Sequence, residues 1–189
     1  MRSLRPLLLF APVLAAACGD PNALPRASLI NAVDSLVSLY ALSGGTPLRT
    51  PSAYWLGSFL APPHPVLIQG GDPFDFAVDL DSADRPVLKP TGALRLGIGS
   101  GVQATTLPFD SIRIAPTGGY KLDSAVTLDV GGRAIVHSRT VQCSFGFTAV
   151  YYAKLEILAV DTASRRIDFK ILVDDNCGYR GLEPGVPSR

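Results

Sequence analysis

The sequence predicts a mainly β protein, an antiparallel β-sandwich or partly open barrel with one amphipathic helix near its N-terminal side. Three observations predict it. Short runs from Val66 onward alternate apolar and polar residues, the two-residue period of a half-buried strand. The 18 Gly and 16 Pro of the 189-residue chain punctuate those runs and leave little room for long helices. One stretch ahead of Gly44 carries a helical period instead.

That stretch places Leu29, Ile30, Val33, Leu36, Val37 and Tyr40 at i, i+3, i+4 and i+7 spacing, with Asn31, Asp34, Ser35 and Ser38 on the other face. Ser28 suits its N-cap and Gly44-Gly45 its stop. The polar face lacks the Lys and Arg of a membrane-surface helix, so packing against the sheet is the expectation. Next, Thr46 to Pro65 carries five prolines around Tyr54, Trp55 and Phe59. Prolines at this density disfavour a central strand and predict a wrapping loop with its aromatics tucked inward.

Strands are then expected in order. Pro65 to Gln69 runs up to Gly70-Gly71, and Phe74 to Leu80 alternates before Asp81 to Asp84 turn the chain into Arg85 to Leu88. Leu107 to Ala115 alternates through Phe109, Ser111 and Arg113 against Asp110, Ile112 and Ile114. Val126, Leu128 and Val130 lead to Gly131-Gly132, a two-residue hairpin turn returning through Arg133 to Arg139. In the last hairpin, Leu155, Ile157 and Ala159 face Ile167, Phe169 and Ile171, with Asp161 to Arg165 as the turn. The same register sets Glu156 opposite Lys170, a cross-strand ion pair.

Composition narrows the class. A hydrophobic share of 47% against 17% charged residues is that of a packed globular chain, and the length suits one domain. The formal charge is +1, with Lys and Arg scattered. A nucleic-acid partner is therefore not expected, because a phosphate backbone demands a basic stripe.

The N-terminus reads as an export signal. Met1 to Arg5 is a basic start, and Pro6 to Ala17 is an apolar run broken by Pro12, too short to span a bilayer as a helix. The following Leu14-Ala15-Ala16-Ala17-Cys18 resembles the lipobox of bacterial lipoproteins, with Ala15 where a larger aliphatic residue is usual. Ala15-x-Ala17 also fits an ordinary small-residue cleavage site before Cys18. The lipoprotein resemblance implies that Cys18 becomes the first mature residue and carries acyl chains. Cysteine arithmetic points the same way. The chain has Cys18, Cys143 and Cys177; lipidation of the first leaves the other two as a pair in an oxidising compartment. Closing that loop stabilises the fold by roughly 3–4 kcal/mol in the chain-entropy model. The expected organisation is thus a signal peptide over 1–17, a lipidated Cys and tether over 18–26, and one β-rich domain over 27–189.

Site motifs are sparse. Asp79-x-Asp81-x-x-Asp84 invites calcium, but Asp84 and Pro90 stand where an EF-hand loop needs Gly and Glu, so a turn is expected. Asp174-Asp175-Asn176 could add ligands only if the fold brought them close. His64 sits among prolines, and His137 shares a strand face with Arg133 and Arg139, which suggests exposure. No metal-ligand spacing and no Gly-x-Ser-x-Gly elbow occurs, and Gly97 to Gly101 opens no helix as a dinucleotide loop would. Neither metal nor cofactor is expected. Asp75, Asp79, Asp110 and Asp129 read as solvent-facing positions of alternating strands. Tyr54-Trp55 and Tyr151-Tyr152 could line a pocket or fill the core. Tyr179 and Arg180, pinned beside Cys177, have hot-spot chemistry and are the candidate binding residues; the competing reading is a fastened C-terminal segment.

These features predict an exported, membrane-anchored envelope lipoprotein on the periplasmic or outer-surface side. Its β-domain would be a non-catalytic binding or structural module, its candidate partners an envelope protein, a glycan or a small ligand. The alternatives are a small envelope hydrolase with a dispersed active site, or a carrier with an apolar ligand inside its barrel.

Overall fold

The computed structural model describes residues 24–47, 49–143 and 146–188; the expected signal peptide, Cys18 and most of the expected tether lie outside them. Two antiparallel five-stranded sheets, neither closed, build the domain. The strands are β1 (Val33–Tyr40), β2 (Ala53–Trp55), β3 (His64–Val66), β4 (Phe76–Leu80), β5 (Pro86–Pro90) and β6 (Gly101–Thr105). After them come β7 (Val126–Thr127), β8 (Arg133–His137), β9 (Val141–Gln142), β10 (Thr148–Ala149), β11 (Tyr152–Asp161) and β12 (Arg166–Val173). The first sheet runs β1-β12-β11-β8-β6 and the second β3-β2-β4-β5-β7, with β9 and β10 forming a small separate ribbon.

The inner faces meet in one apolar core. Phe169 of β12 packs against Tyr54 of β2 at 6.1 Å and Phe76 of β4 at 6.2 Å between ring centroids, while Tyr54 stacks on Phe76 at 5.7 Å. Leu39, Val78, Leu88, Val136, Leu155 and Ile171 fill the space around these rings. The outer faces are also partly covered. Phe109, Ile112 and Leu182 pack on Ile135 and Leu172 of the first sheet. Phe74 packs with Ala53, Val66 and Ala77 on the second. That double coverage explains why all five residues of β4 are buried.

The last hairpin forms in the expected register through Leu155–Ile171, Glu156–Lys170 and Ile157–Phe169. Glu156 and Lys170 form an ion pair at 3.0 Å. A bulge at Leu158 then sets Ala159 opposite Asp168 and Val160 opposite Ile167, leaving Leu158 exposed.

Several expectations are corrected. The predicted helix is strand β1, paired with β12. Its buried side chains are Val37 and Leu39, two apart, whereas Leu29, Ile30 and Leu36 of the helical stripe are exposed. A register shift between Asp34 and Val37 breaks the strand's alternation, and that irregularity is what imitates a helical period. The proline-rich loop does contain a strand inside a sheet: Ala53-Tyr54-Trp55 is free of proline and runs between β3 and β4. Tyr54 is tucked in, yet Phe59 stands out. The Pro65–Gln69 strand begins at His64, ends at Val66, and gives way to a 3-10 turn over Ile68–Gly70.

Leu107 to Ala115 is a 3-10 turn over Phe109–Ser111 with one bridge from Ile114 to Gly181. Burying Phe109 and Ile112, three apart, selects the turn. Gly131-Gly132 makes no hairpin, because β7 pairs with β5 and β8 pairs with β6 and β11. The turn carries the chain from one sheet to the other, and Gly131 takes φ +81° there.

Candidate functional site

Three contiguous surface depressions meet at Asp175, just beyond the end of β12. The first, about 270 Å³, is lined by Leu29, Leu56, Phe59, Leu60, Pro63 and Tyr151, among others. The second, about 130 Å³, runs along Pro25 to Leu29 past Phe147, Cys177 and Tyr179. The third, about 300 Å³, lies against Val33, Asp34, Tyr54 and Ile171. Asp175 lines all three.

The trough is built where the chain's two ends are stitched together. Asp174 N–H donates to Tyr152 O at 2.8 Å, the last rung of β12 on β11. Its Oδ1 then accepts the backbone and side-chain N–H of Asn176 at 2.9 and 3.0 Å, the self-capping turn that Asp favours. Asn176 behaves like a short piece of strand. Its Oδ1 accepts the Ser28 and Leu29 N–H groups, each at 2.9 Å, and its Nδ2 donates to Leu29 O at 3.0 Å. Asn31 exchanges backbone hydrogen bonds with Gly185, donates from Nδ2 to Gly181 O, and accepts the Asp175 N–H. The next residue, Cys177, is bonded to Cys143 across 34 residues with Cα atoms 6.0 Å apart, the pairing expected from the sequence. Ladder bonds, side-chain clamp and disulfide all converge on one loop.

The electrostatics of the trough are dominated by burial. Asp174 has no exposed surface, and its Oδ2 has no hydrogen-bond partner among the described residues. Burial pushes its carboxyl up to about 6, against opposing hydrogen bonds from Asn176. Burial likewise raises Asp175. The Tyr151 hydroxyl is raised by burial and then by the charges of Asp175 and Asp174. Tyr54 is raised by burial, with Asp34 and Asp175 adding to it. The site is thus an apolar trough with a half-buried carboxylate in it and a fully buried one behind.

The candidate binding residues sit at its edge and are engaged internally. The Tyr179 hydroxyl accepts Ala27 N–H at 3.0 Å and donates to Pro25 O at 2.9 Å, holding the incoming chain. Arg180 donates from Nε to Ala115 O at 2.7 Å and also from Nη2. Cys18 is outside the described residues.

Other sequence candidates fall elsewhere. Asp81 caps its own turn through Ala83 and Arg85 N–H. Asp79 is buried, not solvent-facing, because β4 is covered on both sides. Burial would raise its carboxyl, but hydrogen bonds from Lys89 Nζ at 2.6 Å and Ser43 Oγ at 2.7 Å hold it below the usual range. Asp75 is also fully buried, accepting Leu56 N–H at 2.8 Å and Arg139 N–H at 2.9 Å. Asp110 and Asp129 are exposed. His137 is half-buried rather than exposed, its ring edge-on to Tyr120 at 4.6 Å because Gly101 leaves room beside it. The ring of His64 stands edge-on to Trp55 at 5.3 Å. Among the described residues neither histidine is hydrogen-bonded to a serine hydroxyl or a carboxylate, and no cluster of three metal ligands occurs.

Sequence reasoning missed Asn31, Asn176 and the burial of Asp174. Clamps between positions about 145 apart leave no local pattern, although Asp-Asp-Asn directly after a strand is a turn signature. It also missed Lys154, a fully buried lysine donating to Phe109 O and Ile112 O at 2.9 and 3.0 Å. Burial lowers its pKa. Comparisons with protein-family models, curated proteins and solved structures find no match for this chain.

Proposed function

We propose that this chain is an exported envelope lipoprotein, anchored through acyl groups on Cys18, whose β-domain is a non-catalytic binding module. The observation that carries the reading is the Cys143–Cys177 bond, which leaves Cys18 outside the pair and directly after the signal-like segment. Pairing the two domain cysteines leaves the third, at the lipobox-like position, as the odd one, which supports its use as the acylation site. The trough around Asp175 is the binding surface of this module, since it combines Phe59, Leu60 and Tyr151 with a recessed carboxylate and joins the point where the tether enters. Its partners are an envelope protein, a glycan or a small ligand.

The test is the intact mass of the full chain expressed with its own signal in a bacterium. The expected product starts at Cys18, carries acyl chains and retains one disulfide. A mature chain without acyl groups overturns the anchor. Turnover of ester, peptide or glycoside substrates by the purified protein, lost on a point substitution, would replace the binding module with the hydrolase alternative.

A further inference from the structure

The trough has an apolar rim that no described residue covers. Leu60 is 80% exposed, Leu29 53%, Phe59 51% and Leu24 42%. Isolated exposed apolar residues are ordinary, but these four border adjoining depressions. Leu29, Phe59 and Leu60 line the first. Leu24 lies over Gly178, where a side chain would collide with it, beside the wall that Cys177 and Tyr179 give the second. Exposed Arg26 lies in the same wall, and Asp175 is more recessed than the rim.

The position of the tether says what covers this rim. Only six residue steps separate Cys18 from Leu24, a reach of about 20 Å when fully extended. The chain cannot swing freely from Leu24, because Tyr179 holds Pro25 and Ala27 and Asn176 holds Ser28 and Leu29. An acyl group on Cys18 is therefore kept within a short radius of the rim, and the opposite end of the sandwich is kept away from the bilayer. Large aliphatic and aromatic side chains beside an exposed arginine are the composition that settles into a headgroup layer.

We propose that Leu24, Leu29, Phe59 and Leu60, with Arg26 beside them, form the face that the anchored domain lays on the lipid surface. The Phe59-Leu60 loop tip enters the headgroup layer, and the Arg26 guanidinium takes a lipid phosphate. This inference rests on the lipoprotein reading and puts the lipid surface itself, in place of an envelope protein or glycan, against the rim of the trough; the experiment separates it from the anchor.

The acylated full chain is purified from a bacterium as Leu60→Trp and as Val130→Trp, each with its intact mass recorded. Val130 is 59% exposed and precedes Gly131, whose N–H meets β11 at Ile157. That is five residues, about 17 Å along the strand, from the Asp174 contact at Tyr152. Both proteins are reconstituted into phosphatidylethanolamine–phosphatidylglycerol vesicles doped with brominated phosphatidylcholine, and the Trp55 signal of the unsubstituted protein is subtracted. Bromolipid should quench the indole introduced at 60 about three-fold more than that at 130, as expected for burial at the acyl boundary. Confirmed acylation with equal or no quenching at the two positions overturns the docking face and leaves the anchor standing. If the indole at 60 is then shielded from iodide only in native membranes, a protein partner replaces the lipid. A mass without acyl chains overturns the anchor and the docking face together.

Discussion

Replacing Asp174 with asparagine should make the protein more stable at alkaline pH, and the size of the gain follows from where its carboxyl sits. The side chain has no exposed surface, and its pKa stands at about 6 against an ordinary 3.8 because burial penalises the charge. A folded-state pKa raised above the unfolded one favours folding fully below about pH 3.8 and loses that contribution as pH rises through about 6. With both states ionised the loss is ~3 kcal/mol, at ~1.4 kcal/mol per pH unit of separation. Asp174→Asn keeps the Oδ1 that accepts both Asn176 donors and removes the charge. An amide N–H placed at the unpartnered Oδ2 position costs ~1 kcal/mol, leaving a net gain of ~2 kcal/mol near pH 8. The decisive quantity is the change in the gap between variant and wild type. From about pH 4.5 to pH 8 it should widen by ~2 kcal/mol in favour of the variant. Urea unfolding of the oxidised proteins across that range measures it, and the other titrating carboxylates cancel in the difference. A gap constant to within ~0.5 kcal/mol would refute the reasoning, because it would mean that the Asp174 carboxyl titrates alike in both states.

Asn176→Ala should free the incoming segment more than it unfolds the domain, since it removes acceptors for Ser28 and Leu29 N–H. Trypsin cleavage after Arg26 should speed up about ten-fold, whereas global stability falls by ~1–3 kcal/mol. Asp75→Ala strips Leu56 and Arg139 N–H groups of their buried acceptor and should cost ~2–4 kcal/mol in denaturant unfolding. Cys143→Ser with Cys177→Ser should lower stability by roughly 3–4 kcal/mol, read as a fall of about 10 °C in Tm.

What the sequence made legible was whatever neighbours in the chain decide. The β11–β12 hairpin is one case, because alternation and the Glu156–Lys170 pair select the same register. The disulfide is another, since three cysteines with Cys18 set apart at a lipobox-like position leave one sensible pairing. Illegible parts were decided by distant partners. Val33 to Tyr40 satisfies a helical template as written; only β12, some 130 residues later, makes it a strand. Gly131-Gly132 looks like a hairpin because a turn signature does not say which sheet the next strand will join. Asp75 and Asp79 alternate with apolar residues, yet both faces of β4 are covered, so alternation did not predict exposure. The trough itself was half visible. Its disulfide, Tyr179 and the Asp174-Asp175-Asn176 run stand out in the sequence, but Leu29 reads as part of a helix stripe and Phe59 as an aromatic tucked inward.

The clamp between the chain's ends also sets how the domain bears force. A pull applied ahead of Leu24 reaches Tyr179 and Asn176 first, through Pro25, Ala27, Ser28 and Leu29. From there it passes into Cys177 and across a covalent bond to Cys143. Strand β1, an edge strand that would otherwise unzip from β12 one rung at a time, begins only at Val33, beyond the clamp. Load is thereby shared among several bonds stretched together instead of being concentrated on one. Pulled from the side of Leu24, the domain is gripped at its cross-link, and the sheet behind that grip is not peeled.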